Sequence, residues 1–350
     1  WSRTVSMSTD TPPRAKRKSA QAAQDAQLAR ALQEEWMRGG KRKLEKSFLA
    51  EALSTGGVND HRLLEDAVSE DQVLKHFIRR DPKGFLVADA RRGCCVCEEC
   101  AQRLADEIVT GSGLVVVRGA ISMDIALQAR MEIDKMKQQE EISGKFVPAE
   151  LGPTHRRIWA LLNRGAPFTS LVTHSLLFKV LSRILGEDFA LGSFSANEIG
   201  PGCPQGPAHV DYPYSMLSSF PNDTMACQTI FCLDEWTEEN GATRVALHSH
   251  KQKQHPDRDD FLSTVIEGEM GDLVIYHSLL HHRSGQNVTE MSRVGLLGQF
   301  LAKYVRPMED QVRGVKESVK KTASKQLRQL LAMDCPYPIL DPSARMASYD

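Results

Sequence analysis

The sequence predicts a mainly β protein with flanking helices, built as a sandwich or barrel. Three observations predict it. Short apolar runs recur at residues 189–199, 208–214, 225–233, 242–247, 264–267, 272–280 and 294–305, separated by Gly, Pro, Asn or charged turns. Leu114-Val115-Val116-Val117 is a further β-rich run behind the Gly111-Ser112-Gly113 break. The helical periodicities lie outside the stretch that holds most of these runs.

The helices come in order. Residues 21–53 are Ala-rich, with Leu28, Leu32 and Trp36 at spacing four, interrupted at Gly39-Gly40 and ended at Gly56-Gly57. A second helix is expected over about 60–80, stopping before Asp81-Pro82. Leu104–Ile108, 122–140 and 168–185 read as helices, the last ending at Gly186. Helix returns at 308–333, with Val312, Val315, Val319, Leu327 and Leu330 at helical spacing. The expected organisation is a disordered basic tail (1–20), a helical extension (21–100), a β domain (101–306), and a C-terminal helix and tail (307–350).

Composition narrows the class. With 350 residues, 41% hydrophobic and 25% charged, the chain can bury an ordinary globular core. The net charge of −1 hides an asymmetry. Residues 1–50 carry 11 Lys/Arg against 5 Asp/Glu, and the remainder 33 against 40. The basic arm reads as a solvated tail, and nucleic acid is not an expected partner. No run of about 18 apolar residues is present, so no membrane span is expected. With no secretory pattern and eight cysteines, the expected location is intracellular and cytoplasmic. Arg14–Lys18 is a candidate nuclear or organellar address. Cys94, Cys95, Cys97 and Cys100 include half of a zinc knuckle and are a minor candidate for metal binding, since the second ligand pair is missing and four thiols on one tight turn make a poor tetrahedron. They read as cysteines at a helix start.

The chemistry gathers at Ala208-His209-Val210-Asp211-Tyr212. In a strand, residues i and i+2 share a face, so His209 and Asp211 can meet one ion. A remote histidine would complete a facial triad, which suits Fe(II) and leaves positions open for a keto acid and dioxygen. Gly271–Gly285 is a turn and an apolar strand ending in His281 and His282. Period-two alternation lets only one of these neighbours face the ion and does not choose between them; His277 is a further candidate. Arg293 follows His282 by 11 residues, at the start of the next apolar strand. A guanidinium there suits the far carboxylate of 2-oxoglutarate, and the Ser284 hydroxyl can add a hydrogen bond. Tyr212, Tyr214 and Arg283 are candidate substrate-pocket residues.

In these motifs the chain resembles the phytanoyl-CoA dioxygenase family, a branch of the Fe(II)/2-oxoglutarate oxygenases, from about Leu104 to Arg306. The shared pattern runs through Gly113–Gly119, Leu185-Gly186-Glu187-Asp188, Pro201-Gly202, His209-Val210-Asp211, Leu233-Asp234, Glu239–Val245, Gly271–Gly285 and Arg293. The resemblance implies a double-stranded β-helix of jelly-roll or cupin type. It implies His282 rather than His281 as distal ligand, with Ser284 and Arg293 holding 2-oxoglutarate. It implies Fe(II), 2-oxoglutarate as cosubstrate and dioxygen, with ascorbate a candidate addition. The reaction implied is hydroxylation of a C–H bond in a small-molecule or lipid-like substrate, coupled to decarboxylation of 2-oxoglutarate to succinate. Departures at Val210, His248 and Arg283 lie where a substrate would enter. The alternatives are a regulatory binding module on the same barrel, or an oxygenase that does not use 2-oxoglutarate.

Overall fold

A computed structural model describes residues 78–92, 97–143, 148–149, 151–257 and 263–334. The readings placed on 1–77, on Cys94 and Cys95, and on the tail from Pro336 lie outside the described residues.

Two sheets face each other. The larger has nine strands. Its centre is β6 (Ala190–Ile199), β12 (Arg293–Leu301), β7 (Ala226–Cys232) and β10 (Leu273–His277), in that spatial order and antiparallel throughout. The smaller sheet is β11 (His282–Ser284), β8 (Thr243–Val245) and β9 (Thr264–Val265). A bridge between His209 and His282 extends it by one row. Along the chain, successive segments alternate between the sheets from β6 onward, with β8 and β9 pairing as neighbours in the smaller one. That winding is a double-stranded β-helix, the jelly-roll core expected above.

Further strands widen the larger sheet. β5 (Gly152–Ile158) and β4 (Pro148–Ala149) continue it beyond β6. On the other side β3 (Leu114–Arg118) pairs with β10, followed by β2 (Leu86–Asp89) and β1 (Ile78–Arg80). β2 and β3 are parallel, joined by the crossover helix α1 (Glu98–Val109). Of the helix expected over about 60–80, the described residues 78–80 form a strand, and the larger sheet takes in strands that precede residue 101. The polar pair Arg79-Arg80 concealed this strand, because both side chains are exposed at its edge.

Strand alternation divides the core in two. Val115, Val117, Leu273, Ile275, Val294, Leu296 and Phe300 face the helices; Leu114, Val116, Val274, Tyr276 and Leu297 face the barrel interior. Burial on both faces explains why Leu114–Val117 reads as an unbroken apolar run. α1 covers the helix side with Cys100, Leu104 and Ile108, and Cys97 caps it by accepting the Cys100 N–H at 3.3 Å. Truncating Leu104 to Ala would cost about 2–5 kcal/mol, as for other fully buried leucines. α2 is Met123–Ser143.

The helix expected at 168–185 is two, α3 (Ala166–Val172) and α4 (Ser175–Leu185). Thr173 ends the first, its hydroxyl donating to Thr169 O at 2.8 Å. Both pack in the core, and no single helix among the described residues is long and apolar enough to cross a membrane. The run at 308–333 is three short helices, α5 (Gln311–Gly314), α6 (Glu317–Lys321) and α7 (Lys325–Leu330). Fresh side-chain caps at Asp310 and Ser324 start two of them.

Candidate metal centre

The 208–214 run forms no extended strand. His209 exchanges two backbone bonds with His282, each 3.0 Å, and the Asp211 N–H donates to Ser278 O at 2.9 Å. Those bonds hold the two segments in register. They bring His209, Asp211 and His282 together, with one ligand atom from each lying within 4.8 Å of the others. His282 Nε2 is 3.3 Å from Asp211 Oδ2, and His209 Nε2 is 3.8 Å from Asp211 Oδ1.

Both imidazoles are oriented from behind. His282 Nδ1 lies 2.8 Å from Leu280 O, and His209 Nδ1 lies 3.1 Å from Pro207 O. A carbonyl only accepts, so each Nδ1 carries the hydrogen. Each Nε2 then presents its lone pair toward Asp211 in the neutral ring, the tautomer a metal ligand needs. His282 is buried and His209 is exposed, so the cluster is walled on one side and open on the other.

The electrostatics follow the same geometry. Burial alone would raise the Asp211 carboxyl, but His282 first, then His209 and Arg157, hold it below the usual carboxylate range. Burial would lower His282, yet its contact with Asp211 raises it. Without a metal, the Asp211 carboxylate therefore favours the protonated form of His282. A cation placed there takes over that proton's role.

His281 faces away. Its Nε2 lies 2.8 Å from Gln254 O, and its N–H donates to Ser249 Oγ at 2.8 Å. His277 is enclosed elsewhere, with Nδ1 accepting the Leu279 N–H at 3.0 Å and Nε2 3.2 Å from Thr224 Oγ1.

Ser284 lies two residues past His282 on the same face of β11. The Gly206 N–H donates to Ser284 O at 3.1 Å. A Cβ on Gly206 would stand 2.8 Å from Ser284 Oγ, so glycine leaves the hydroxyl room for a ligand. Beyond Ser284, Gly241 takes φ +83°, a conformation that favours glycine, and its carbonyl accepts from Arg293 Nη2.

Arg293 is 1% exposed, and its guanidinium carbon lies 3.8 Å from the centre of the Trp236 ring. Its Nε is buried with no hydrogen-bond partner. Among the described residues no carboxylate lies within ion-pair distance. Asp234 is instead taken by Arg130 at 2.9 Å and by the Val294 N–H at 2.8 Å. Burial pulls Arg293 down to about 10, opposed by Cys232, Asp234 and Cys203, so it stays cationic at neutral pH. A buried, unpaired cation with an orphaned donor fits an anionic ligand.

Two of the three pocket candidates face elsewhere. Arg283 alternates to the outer face of β11, opposite His282 and Ser284, where it pairs across the sheet with Arg244. Tyr214 is buried in a small core with Val210 and Leu279, and its hydroxyl accepts the Met225 N–H at 2.7 Å. Tyr212 is half-buried and donates its hydroxyl to Arg306 O at 2.7 Å.

Two other residues reach the centre. The Tyr276 hydroxyl lies 3.4 Å from Asp211 Oδ2 and 3.5 Å from His282 Nε2. Burial and Asp211 hold it well above its usual pKa, so it stays protonated and can only donate to the carboxylate. Alternation in Leu273–His277 put Tyr276 on the barrel face with Val274, a signal the sequence did contain. Arg157 on β5 is the other, through its charge alone, which helps hold Asp211 ionised. It pairs with Asn197, which pairs with Gly295, on the barrel-facing side of the sheet.

A double-stranded β-helix carrying two histidines and one carboxylate, open on one side, defines a mononuclear metal oxygenase. The model of the phytanoyl-CoA dioxygenase family matches residues 110–295, more than half of the chain. The chain belongs to that family, a branch of the Fe(II)/2-oxoglutarate-dependent dioxygenases. Dioxygenase af480 of Aspergillus fumigatus is 28% identical over 228 residues, covering 63% of this chain and 74% of that protein. Dioxygenase FUM3 of Gibberella moniliformis is 27% identical over 214 residues, covering 56% and 71%. The epimerase SnoN, solved with Fe3+, alpha ketoglutarate and nogalamycin RO, is 16% identical with a TM-score of 0.48, covering 66% of this chain and 94% of that one.

Proposed function

We propose that the protein hydroxylates a C–H bond of a small-molecule or lipid-like substrate, with Fe(II) held by His209, Asp211 and His282. In this reading Ser284 and Arg293 would hold the far carboxylate of 2-oxoglutarate. The observation that carries the proposal is one barrel interior holding both a three-ligand cluster, on the smaller sheet, and a buried guanidinium with no carboxylate partner among the described residues, on the larger. Three protein ligands leave three positions of an octahedral ion for the keto acid and dioxygen. Bound iron with 2-oxoglutarate supplies oxidation by dioxygen, one oxygen atom entering the substrate and the other the succinate formed as CO2 leaves.

The chain's own residues do the rest. Asp211 stays ionised, the two Nδ1–H···O=C bonds keep both Nε2 atoms aimed inward, and Tyr276 steadies the carboxylate. Ser284 and Arg293 orient the keto acid, and Trp236 screens the guanidinium from water.

The test is spectroscopic. Anaerobic protein loaded with Fe(II) and 2-oxoglutarate should show a weak visible charge-transfer band. His209→Ala and Asp211→Ala should abolish it. A wild-type protein with no such band sinks the reading. Succinate release on admitting oxygen then separates use of 2-oxoglutarate from a different oxygenase chemistry.

A further inference from the structure

We propose that Gln228 and Gln299 are the substrate-recognition pair of this site, and that they select a neutral polar group with a hydrogen to donate, of the carboxamide or lactam class. The inference rests on the oxygenase reading above, because it takes the metal cluster as the reacting centre.

Strand register lays out the barrel interior in rows. Tyr276, Gln228, Gln299 and Ser193 stand opposite one another across β10, β7, β12 and β6. Partners in register share a face, so the whole row faces the interior with Tyr276. The row behind it is Val274, Ile230 and Leu297, ending in Ser195. One row is thus polar from end to end, and its neighbour is mostly apolar. All four side chains of the polar row are buried.

The polar row begins at the metal cluster. The Tyr276 hydroxyl contacts Asp211, and Gln299 Nε2 donates at 3.1 Å to the carbonyl of Tyr212, the residue after Asp211. The row is remote from the keto-acid anchor. Gln299 follows Arg293 by six residues on β12, about 20 Å of extended strand.

The bond to Tyr212 also settles which way the Gln299 amide points. A carbonyl only accepts, so the amide nitrogen faces it and the amide oxygen is turned away. That oxygen, Oε1, is buried with no hydrogen-bond partner. A Cβ on Gly192 would stand 2.4 Å from it, so glycine keeps the space beside it open. Gln228 is 7% exposed, and among the described residues no hydrogen bond engages its amide.

Buried amides without partners are costly and uncommon in a folded interior, so two of them on one row beside a metal cluster call for a ligand. The row itself carries no charge. An ion brought against it would lose its water and gain no counter-ion. A neutral group is accepted, provided that it brings an N–H or O–H to Gln299 Oε1. Gln228 stands one strand away and offers both a donor and an acceptor. A carboxamide or lactam, which presents a donor and an acceptor side by side, satisfies both glutamines at once.

The experiment uses benzamide and acetophenone, which share a shape and differ by an amide NH2 in place of a methyl, with benzoate as the charged member. Each is titrated calorimetrically into the anaerobic full chain loaded with Fe(II) and 2-oxoglutarate. Wild type should bind benzamide about ten- to a hundredfold more tightly than acetophenone, the effect of leaving a buried acceptor unpaired. Benzoate should gain nothing over acetophenone. Gln228→Met and Gln299→Met each keep the side chain's length and remove its amide. Each should bring the ratio close to one, with the charge-transfer band and the 2-oxoglutarate half-saturation as in wild type. Gln228→Met, whose side chain bonds to no neighbour of a metal ligand, decides the case if Gln299→Met loses metal. Overturning results are no binding of benzamide by wild type, equal binding of benzamide and acetophenone, tighter binding of benzoate, or a preference that survives Gln228→Met. So is a loss of 2-oxoglutarate affinity in Gln228→Met, which would make the row part of the cosubstrate site. If wild type prefers benzamide and shows no band, the recognition pair stands and the oxygenase reading falls. If it shows the band and no preference, the oxygenase reading stands and the pair falls.

Discussion

The Trp236 ring lies 3.8 Å from the guanidinium carbon of Arg293. The two residues come from different segments, the β7–β8 connection and the start of β12, and neither is exposed. Gly295 makes the contact possible, since a Cβ there would fall 2.4 Å from Trp236 Cζ2. The stack fixes a cation in the barrel interior in advance of any ligand.

Arg293→Gln should weaken 2-oxoglutarate binding by about 2–5 kcal/mol, the usual effect of truncating one partner of a buried charged pair. The loss is read as a rise in the keto-acid concentration that half-saturates the band. Arg293→Met should do the same to binding yet raise the melting temperature of ligand-free protein, because an unpaired buried guanidinium is replaced by an apolar chain. A methionine variant that melts lower would contradict this account of the site.

Gly295→Val tests the stack without touching a ligand-binding group. The added side chain must displace the indole, so the guanidinium loses its support. Weaker 2-oxoglutarate binding with metal binding intact is expected. Equal loss of both would point to a general packing defect instead.

Much of the centre was legible before the structure. The i, i+2 spacing of His209 and Asp211 and the offset of Arg293 carry information that survives folding. The choice between His281 and His282 was not legible from periodicity, because Leu280 bonds back to His277 in a turn and β11 starts afresh. Alternation cannot be counted through a turn. Arg157 and Gly206 were missed for another reason, since each acquires its role only from strands distant in sequence. Arg283 was singled out as a departure from the family pattern, and one step along β11 from His282 puts it on the opposite face.

The His281 and His282 pair gives a direct contrast. His282→Ala should reduce metal affinity by more than about 100-fold, exceeding what loss of an outer partner costs. His281→Ala should leave metal binding near wild type, since its ring serves the Gln254 carbonyl. Competition with a chromogenic chelator measures both. Comparable losses would mean that the ligand set is different.

Metal binding should release a proton. Contact with Asp211 raises His282 above its usual range, so metal-free protein still holds that proton at pH values above about 6.5. Affinity should therefore climb with pH through and beyond that value, and flatten once His282 is neutral. Titrations in buffers of different ionisation enthalpy count the protons. A count of zero at pH 6.5 would refute a protonated His282.

Behind the centre, His277 and His250 stack with ring centres 5.2 Å apart, and burial pulls them down to about 3 and about 4. His277 cannot gain a proton without losing a bond, because its Nδ1 accepts the Leu279 N–H. Both rings are neutral when folded and take up protons when unfolded near the ordinary value of about 6.5. The unfolded state thus binds more protons, and stability is lost as pH falls below that value. Each histidine should contribute a slope of about 1.4 kcal/mol per pH unit between about 6 and about 4. Urea midpoints of chelator-treated protein across this window measure the combined slope. His277→Gln should remove about one histidine's share of it, even if the variant is less stable overall. An unchanged slope would mean that His277 already carries its proton in the folded protein.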